Sequence, residues 1–388
     1  MSEKTIHYYF TNLNPEKITA GRELRKMTKT ALAEMIEKST SAVSQFESGK
    51  SGLDLNTFQR IIEVLSLPPV FFTSNPETEA IGYNMAQCHF RAKRNVTQLE
   101  RSQSSRYAEQ VISIYNALER LGVGFPPPNL PQFAKPSASI TENQIEKISD
   151  SARSYWELGF GPIPDMATLV EAIGVRIIIL PDDSKNIDGF STWVGEQPYI
   201  MVVGSSVPSR LQFDYAHELA HILLHSEDIP GELDTERVAN RFAGAFLMPF
   251  SSFVVEGPKS WRGLKALLDV KKRWYVSMAA ALFRSRQIGI MRESSYRWAM
   301  IKLSESGQRT DERGEFEKPI PSLMGQAIEL ISGDVALNEL AEISCLSVDM
   351  LETILLEQGV SKAILDTMKP KSALPKKAKV IRFSPATK

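Results

Sequence analysis

The stretch LQFDYAHELAHILLH, Leu211–His225, followed by TERVANRFAGAFLMP, Thr235–Pro249, governs how the rest of the chain is read. Both segments carry apolar residues at three- and four-residue intervals, the period of a helix. Within the first, HELAH at 217–221 sets two histidines four positions apart, so the imidazoles of His217 and His221 share one helix face. Neutral imidazole suits a borderline-soft ion, and two rings fixed at helical spacing offset part of the ordering cost of holding zinc. Glu218 projects near the same metal edge, where its carboxylate can take a proton from water that such an ion has acidified to a pKa of about 7. A catalytic zinc site also wants a third protein ligand and an open position. Glu236, near the start of the second helix, is the best candidate, and Asn240 one turn later is expected to hold a ligand histidine by its second nitrogen. His225 continues the histidine row, but three such rings span about 12 Å, too far for one ion. It reads as a surface or helix-end residue, and the lone His89 as a packing or surface residue.

Working outward, VRIIILP (175–181), GFSTWVG (189–195) and PYIMVVG (198–204) are three predicted strands with turn residues between them. Either of the last two can supply a sheet edge on which a peptide is held as an added strand. Helices are predicted over ITENQIEKISDSARSYWELG, over GPIPDMATLVEAIG, and over WRGLKALLDVKKRWYVSMAAALFRSRQIG as one segment. Residues 296–368 read as mostly helical with a charged loop, SESGQRTDERGEFEKP. From Lys369 the chain carries seven Lys/Arg, three prolines and no acid, which reads as a disordered basic tail.

The whole chain has 388 residues, enough for two or three domains at roughly 100–200 residues each. Its 45 Lys+Arg against 46 Asp+Glu argue against a wholesale polyanion binder while allowing a locally basic face. Two cysteines, Cys88 and Cys345, exclude a disulfide scaffold and a Cys-rich zinc site, and read as buried thiols. No apolar run approaches the roughly 18–20 residues of a membrane span, and the N-terminus has no signal-peptide core, so the expected location is cytoplasmic, with no membrane partner.

The first seventy residues read as short helices: about Pro15 to Lys26, then TKTALAEMIEK, STSAVSQFESGK and NTFQRIIEVL, stopping at Leu67-Pro68-Pro69. Thr28, Thr40 and Asn56 stand where N-caps are expected. TSAVSQFES is a short helix with small polar residues at its start. Thr40, Ser41, Ser44 and Gln45 are placed to reach base edges in a major groove, and Lys29, Lys50 and helix-terminal amides to hold phosphates. A long helix over SQSSRYAEQVISIYNALERLG then runs into VGFPPPNLPQFAKP, a semi-rigid spacer with a boundary near 130–140.

Residues 143–291 resemble the ImmA/IrrE family of zinc metallopeptidases. The resemblance rests on RLQFDYAHELAHILLH and ERVANRFAGAFLMP, supported by GPIPDMATLVEAIGV, DGFSTW and KKRWYVSMAAALFRSRQIGIM. It implies an α+β zincin-like fold, zinc on His217, His221 and Glu236, Glu218 as general base, and a helix-turn-helix repressor cut at one site. Tyr275, Tyr215 and nearby arginines stay open as oxyanion donors. Residues 15–72 resemble the Cro/C1-type (XRE) family, on Leu32-Ala33-Glu34, Val43, Phe46-Glu47, Gly49-Lys50 and TFQRIIEVLSLPPVFF. This implies an all-α lambda-repressor-like domain that binds double-stranded operator DNA. Lys29 stands where that family commonly has Gln, and Glu37-Lys38 where it has Gly and an apolar residue. Glu37 there is expected to be strained at positive φ.

The resulting expectation is a multidomain, mainly α protein with a small sheet. Its parts are a helix-turn-helix domain at 1–73, a helical connector and proline-rich linker at 74–142, a peptidase domain at 143–295, a helical region at 296–368 and the tail at 369–388. Two functions from different classes stay open. One is a regulator whose zinc domain cleaves a repressor or partner protein. The other is a non-proteolytic repressor or antitoxin of a toxin–antitoxin-like pair, with zinc used for structure or sensing. Homodimerisation is left open.

Overall fold

The computed structural model describes residues 3–73, 89–92, 96–134, 140–182, 187–204, 206–224, 233–308, 312–368 and 379–380. Five helices open it: α1 (Glu3–Thr11), α2 (Pro15–Leu24), α3 (Lys29–Met35), α4 (Thr40–Glu47) and α5 (Leu55–Leu65), followed by a 3-10 turn at Pro69–Phe72. The sequence reading missed α1. Thr28 caps α3 as expected, its Oγ1 accepting from the Ala31 N–H at 3.1 Å. Thr40 and Asn56 are not caps. The turn before α4 closes when the Lys38 N–H donates to Ala33 O, leaving Ser39 as the extended residue whose Oγ accepts from Ala42 N–H. Asp54 caps α5 because its two oxygens accept both the N–H and the hydroxyl of Thr57. Glu37 takes φ 54, as its place in the turn requires. The Lys38 side chain, whose position the family fills with an apolar residue, is exposed.

Next come β1 (His89–Ala92), α6 (Gln98–Arg120), β2 (Val123–Gly124), α7 (Glu142–Tyr155) and α8 (Met166–Ala172). The strands β3 (Arg176–Leu180), β4 (Ile187–Val194) and β5 (Gln197–Val203) follow, then α9 (Pro208–Leu224), α10 (Leu233–Leu247) and α11 (Phe250–Glu256). The long helix expected after Trp261 is two helices, α12 (Leu264–Trp274) and α13 (Met278–Gln287). They are broken where Tyr275 turns left-handed at φ 55 and Ser277 caps the second. The described chain is completed by α14 (Glu293–Glu305), α15 (Leu323–Ile331), α16 (Leu337–Ile343), α17 (Val348–Glu357), α18 (Lys362–Thr367) and β6 (Lys379–Val380). Most of the stretch read as a basic tail lies outside the described residues; its Lys379–Val380 pairs in parallel with β2.

The sheet runs β1-β4-β5-β3, with β3 parallel to β5 and β4 antiparallel to both β5 and β1. It is buried on both faces, which is why RIIIL and YIMVV are continuous apolar runs rather than alternating ones. Ile178, Leu180, Tyr199, Met201 and Val203 point into a core shared with the N-terminal helices, α6 and α15–α18. Their sequence neighbours Ile177, Ile200 and Val202 point the other way, onto α7–α10. A smaller third core joins α12, α13 and α14. No single helix among the described residues is long and apolar enough to cross a membrane.

The stretch read as a charged loop is a strap. Glu315 accepts from the Ser209 N–H (3.1 Å) and hydroxyl (3.0 Å) at the start of α9 and from the buried Lys271 (2.5 Å). Lys318 donates to Gly204 O, and Tyr215 donates to Pro319 O. Apolar residues follow no helical period in this stretch, so periodicity gave no sign of it.

The C-terminal region repeats the turn of the N-terminal helices. Leu340-Ala341-Glu342 on α16 correspond to Leu32-Ala33-Glu34 on α3, and Ser347 caps α17 as Ser39 caps α4. The backbone bonds match: Leu346 N–H to Ala341 O at 2.9 Å against Lys38 N–H to Ala33 O at 2.9 Å. Neither α16 nor α17 contains Lys or Arg; Asp349 of α17 is exposed, and Glu357 at its end accepts from the Tyr107 hydroxyl at 2.6 Å. The motif's shape is present without the cations that would hold phosphate.

Candidate metal centre and nucleic-acid face

Helix α9 is buried along almost its whole length, and with its apolar residues it buries the polar side chains of Gln212, Asp214, His217, Glu218 and His221. His217 and His221 are at most 1% exposed, with their Nε2 atoms 3.1 Å apart. The neighbouring helix α10 brings in Glu236, whose Oε2 lies 3.3 Å from His217 Nε2 and whose Oε1 lies 3.3 Å from His221 Nε2. A tetrahedral ion with bonds of about 2.0–2.1 Å sets its ligand atoms roughly 3.3 Å apart. The three donors already stand at that spacing, and two imidazole nitrogens with a carboxylate oxygen are a donor set that fits zinc. The Glu236 carboxyl is 26% exposed. Burial would raise its pKa, but hydrogen bonds and charge from the two histidines outweigh that and hold it well below the usual carboxylate range.

Glu218 is buried, and its Oε2 accepts from the hydroxyl of Ser191 on β4 at 2.8 Å. Gly189, two residues earlier on the same strand face, makes room for this carboxylate. A Cβ there would lie 3.3 Å from Glu218 Oε1 and 2.9 Å from Met201 O. Ser191 and Gly189 were not singled out from sequence; the signal was the polar and small residues interrupting the strand at GFS. The surroundings are fixed by buried arginines. Arg153 donates to the carbonyls of Gly159, Gly161 and Phe246, with its pKa pushed down to about 10 by burial. Arg241 and Arg284 both grip Glu146, tying α7, α10 and α13 together.

Several expected partners are elsewhere. Asn240 is exposed, and its Nδ2 donates to Glu236 O at 2.8 Å, so its amide is engaged by its own helix, not by a histidine. Tyr215 is buried with its hydroxyl on the strap, and Tyr275 packs its ring on Phe316. β4 and β5 both lie inside the sheet, so neither supplies the expected edge: β1 covers the outer side of β4, the strand that flanks the site. His225 and Cys88 fall outside the described residues. His89 belongs to β1, and Cys345 is half-buried with φ 57 in the second turn motif.

On the N-terminal face, Thr40, Ser41, Gln45 and Lys50 are exposed and gathered on or just beyond α4, with Ser44 half-buried among them. Lys29 Nζ donates to Ser44 Oγ at 3.1 Å and lies 3.4 Å from Glu47 Oε2. It therefore braces α3 against α4 as well as offering charge to that face. Beneath, Glu47 is buried against Arg22, with Oε1 2.5 Å from Nε and Oε2 3.2 Å from Nη2.

Residues 18–72 match the family model described as a helix-turn-helix, of Cro/C1 type, and residues 170–286 match the one described as the IrrE N-terminal-like domain, a peptidase family. No curated protein matches the chain.

Proposed function

From a chain that joins a Cro/C1-type helix-turn-helix domain to an IrrE N-terminal-like domain, in that order, we propose a cytoplasmic, DNA-binding transcription regulator. In this reading its second domain is a zinc-dependent peptidase that cuts a repressor or other partner protein at one site. The observation that carries it is the His217–His221–Glu236 triangle, with 3.1–3.3 Å between donor atoms, beside the buried Glu218. Zinc held there supplies a Lewis acid for the scissile carbonyl and lowers the pKa of water. Glu218, steadied by Ser191, takes the proton from the attacking water and returns it to the leaving nitrogen. The substrate strand lies along β4 beside that carboxylate, in the place that β1 occupies in the sheet. At the other end, Thr40, Ser41, Ser44 and Gln45 read bases in an operator, Lys50 and Lys29 meet phosphates, and a homodimer spans its two half-sites.

The test incubates the zinc-loaded protein with proteins encoded beside its gene, comparing wild type with Glu218→Gln. Site-specific cutting lost in the variant is the expected result, and cutting at an unchanged rate rejects the mechanism. Absence of any cutting, together with tight capture of a neighbouring toxin, would favour the antitoxin reading.

A further inference from the structure

The strand that completes the sheet beside Glu218 is not part of the matched peptidase segment. β1 comes from the chain between the helix-turn-helix and α6, and it runs antiparallel along β4, pairing His89 with Ser191, Phe90 with Phe190 and Arg91 with Gly189. Ser191 and Gly189 are the two β4 residues against which the Glu218 carboxylate rests. The backbone of His89–Arg91 therefore lies one strand spacing, about 4.8 Å, from the strand that borders the candidate general base. The register shifts between Arg91 and Ala92, an irregularity that re-aims a strand as bulges beside active sites do. On the opposite edge of the sheet, the backbone of Ile179 is already engaged. The Gln358 side chain donates to Ile179 O (2.8 Å) and accepts from Ile179 N–H (2.9 Å), pairing with β3 as a strand would.

We propose that His89–Ala92 is seated as the substrate strand of the peptidase domain, so that the chain cuts its own connector. This rests on the peptidase reading above and names its substrate. Hydrolysis adds water across one peptide bond of β1: the oxygen joins the carbonyl carbon, and Glu218 carries a proton from the water to the leaving nitrogen. A new carboxylate and a new amine terminus result. The severed helix-turn-helix stays docked on α6 through contacts such as Arg106 Nε to Glu23 Oε2 at 2.8 Å. Its tether is gone, however, and docking becomes bimolecular and reversible on dilution. Cutting thus uncouples the DNA reader from the rest of the protein.

The experiment follows zinc-loaded full-length wild type and Glu218→Gln at several protein concentrations, by denaturing gel and mass spectrometry of the termini. One cut within His89–Ala92 is expected, at a rate independent of concentration and at least 100-fold slower in the variant (~10²–10⁴ for loss of a general base). Seating is read without catalysis, by hydrogen exchange of Glu218→Gln. The alternate amides of 89–92 that face β4 are expected to be protected, and the protection to vanish when Phe90→Pro and Arg91→Pro are added, since one of any two successive residues directs its N–H at β4 and proline removes it. Exchange of every amide at 89–92 at the unprotected rate overturns the seating whatever the enzyme does. So does a cut whose rate rises with concentration, because a second copy is then supplying the strand. Protected amides in an intact wild type that still cuts a neighbouring protein through Glu218 overturn self-cleavage and leave the peptidase reading standing. If neither the connector nor any neighbouring protein is cut, the peptidase reading itself has failed.

Discussion

Glu37 and Cys345 occupy the same position in two copies of one turn, at φ 54 and 57, each two residues before the serine that caps the next helix. Neither is glycine, although the left-handed region costs a residue with a Cβ about 1–2 kcal/mol. Glu37 recovers little through its exposed ion pair with Arg60. Glu37→Gly and Cys345→Gly are each expected to stabilise by roughly 0.5–1 kcal/mol, after the extra entropy that glycine loses on folding. The two gains are expected to add, because the turns are separate. Urea midpoints of the single and double variants check this; a loss of stability at either position would show that its side chain holds the turn.

Breaking the buried pair under the DNA face has the opposite sign. Glu47→Ala leaves the Arg22 guanidinium buried with one remaining partner, the carbonyl of Met27. Orphaning a buried charge costs about 3–5 kcal/mol. DNA binding, measured by fluorescence anisotropy with genomic operator fragments, is expected to collapse while zinc content stays at wild-type level. Retained DNA binding would mean that α2 and α4 are held by their apolar contacts alone.

Zinc removal tests the other end of the molecule. Its three candidate ligands come from two helices, so an ion bound there ties α9 to α10, and its binding free energy adds to stability. Dialysis against a chelator is expected to lower the thermal midpoint, and His221→Ala to abolish stoichiometric zinc by elemental analysis. Glu218→Gln should leave zinc content unchanged, because Glu218 is held by Ser191 and stands outside the ligand triangle. Loss of zinc in Glu218→Gln would place that carboxylate among the ligands.

That His217, His221 and Glu236 meet was readable in the sequence, because helical periodicity fixes His217 against His221 and an acid at the start of the following helix has few places to go. The α3–α4 turn was equally local, down to the positive φ of Glu37. What escaped was set by partners distant along the chain. Ser191 reaches Glu218 only once β4 lies across α9, and Gln358 engages Ile179 on the β3 edge from the far end of the chain. Glu315 becomes a structural residue only when the strap meets Ser209 and Lys271. Asn240 shows the converse error: helical spacing put it near the site, but the i, i−4 carbonyl of Glu236 competes for its amide and wins. The second turn motif was legible in Leu340-Ala341-Glu342 and Ser347. Without basic residues, however, those helices carry no sequence signal of a phosphate-binding role.

The same long-range closure gives a pH dependence. Glu171 on α8 is fully buried and accepts from the Ser322 N–H (2.9 Å), the Leu323 N–H (3.1 Å) and the Ser322 hydroxyl (3.3 Å), fastening the start of α15. Burial pushes its carboxyl up from 4.5 to about 7, against those bonds, which favour the charged form. A folded-state pKa above the unfolded one means that the native state binds the extra proton between these values. The stabilisation is therefore complete below about pH 4.5 and is lost as pH rises through about 7. Docking of α15 on α8 is expected to loosen over that window, seen as faster hydrogen exchange at residues 323–331 after correction for the intrinsic pH effect. Glu171→Gln, neutral at every pH, is expected to flatten the profile. A wild-type profile that is already flat, or one that steepens upward with pH, would mean that the amide donors at Ser322 and Leu323 dominate and keep Glu171 ionised throughout.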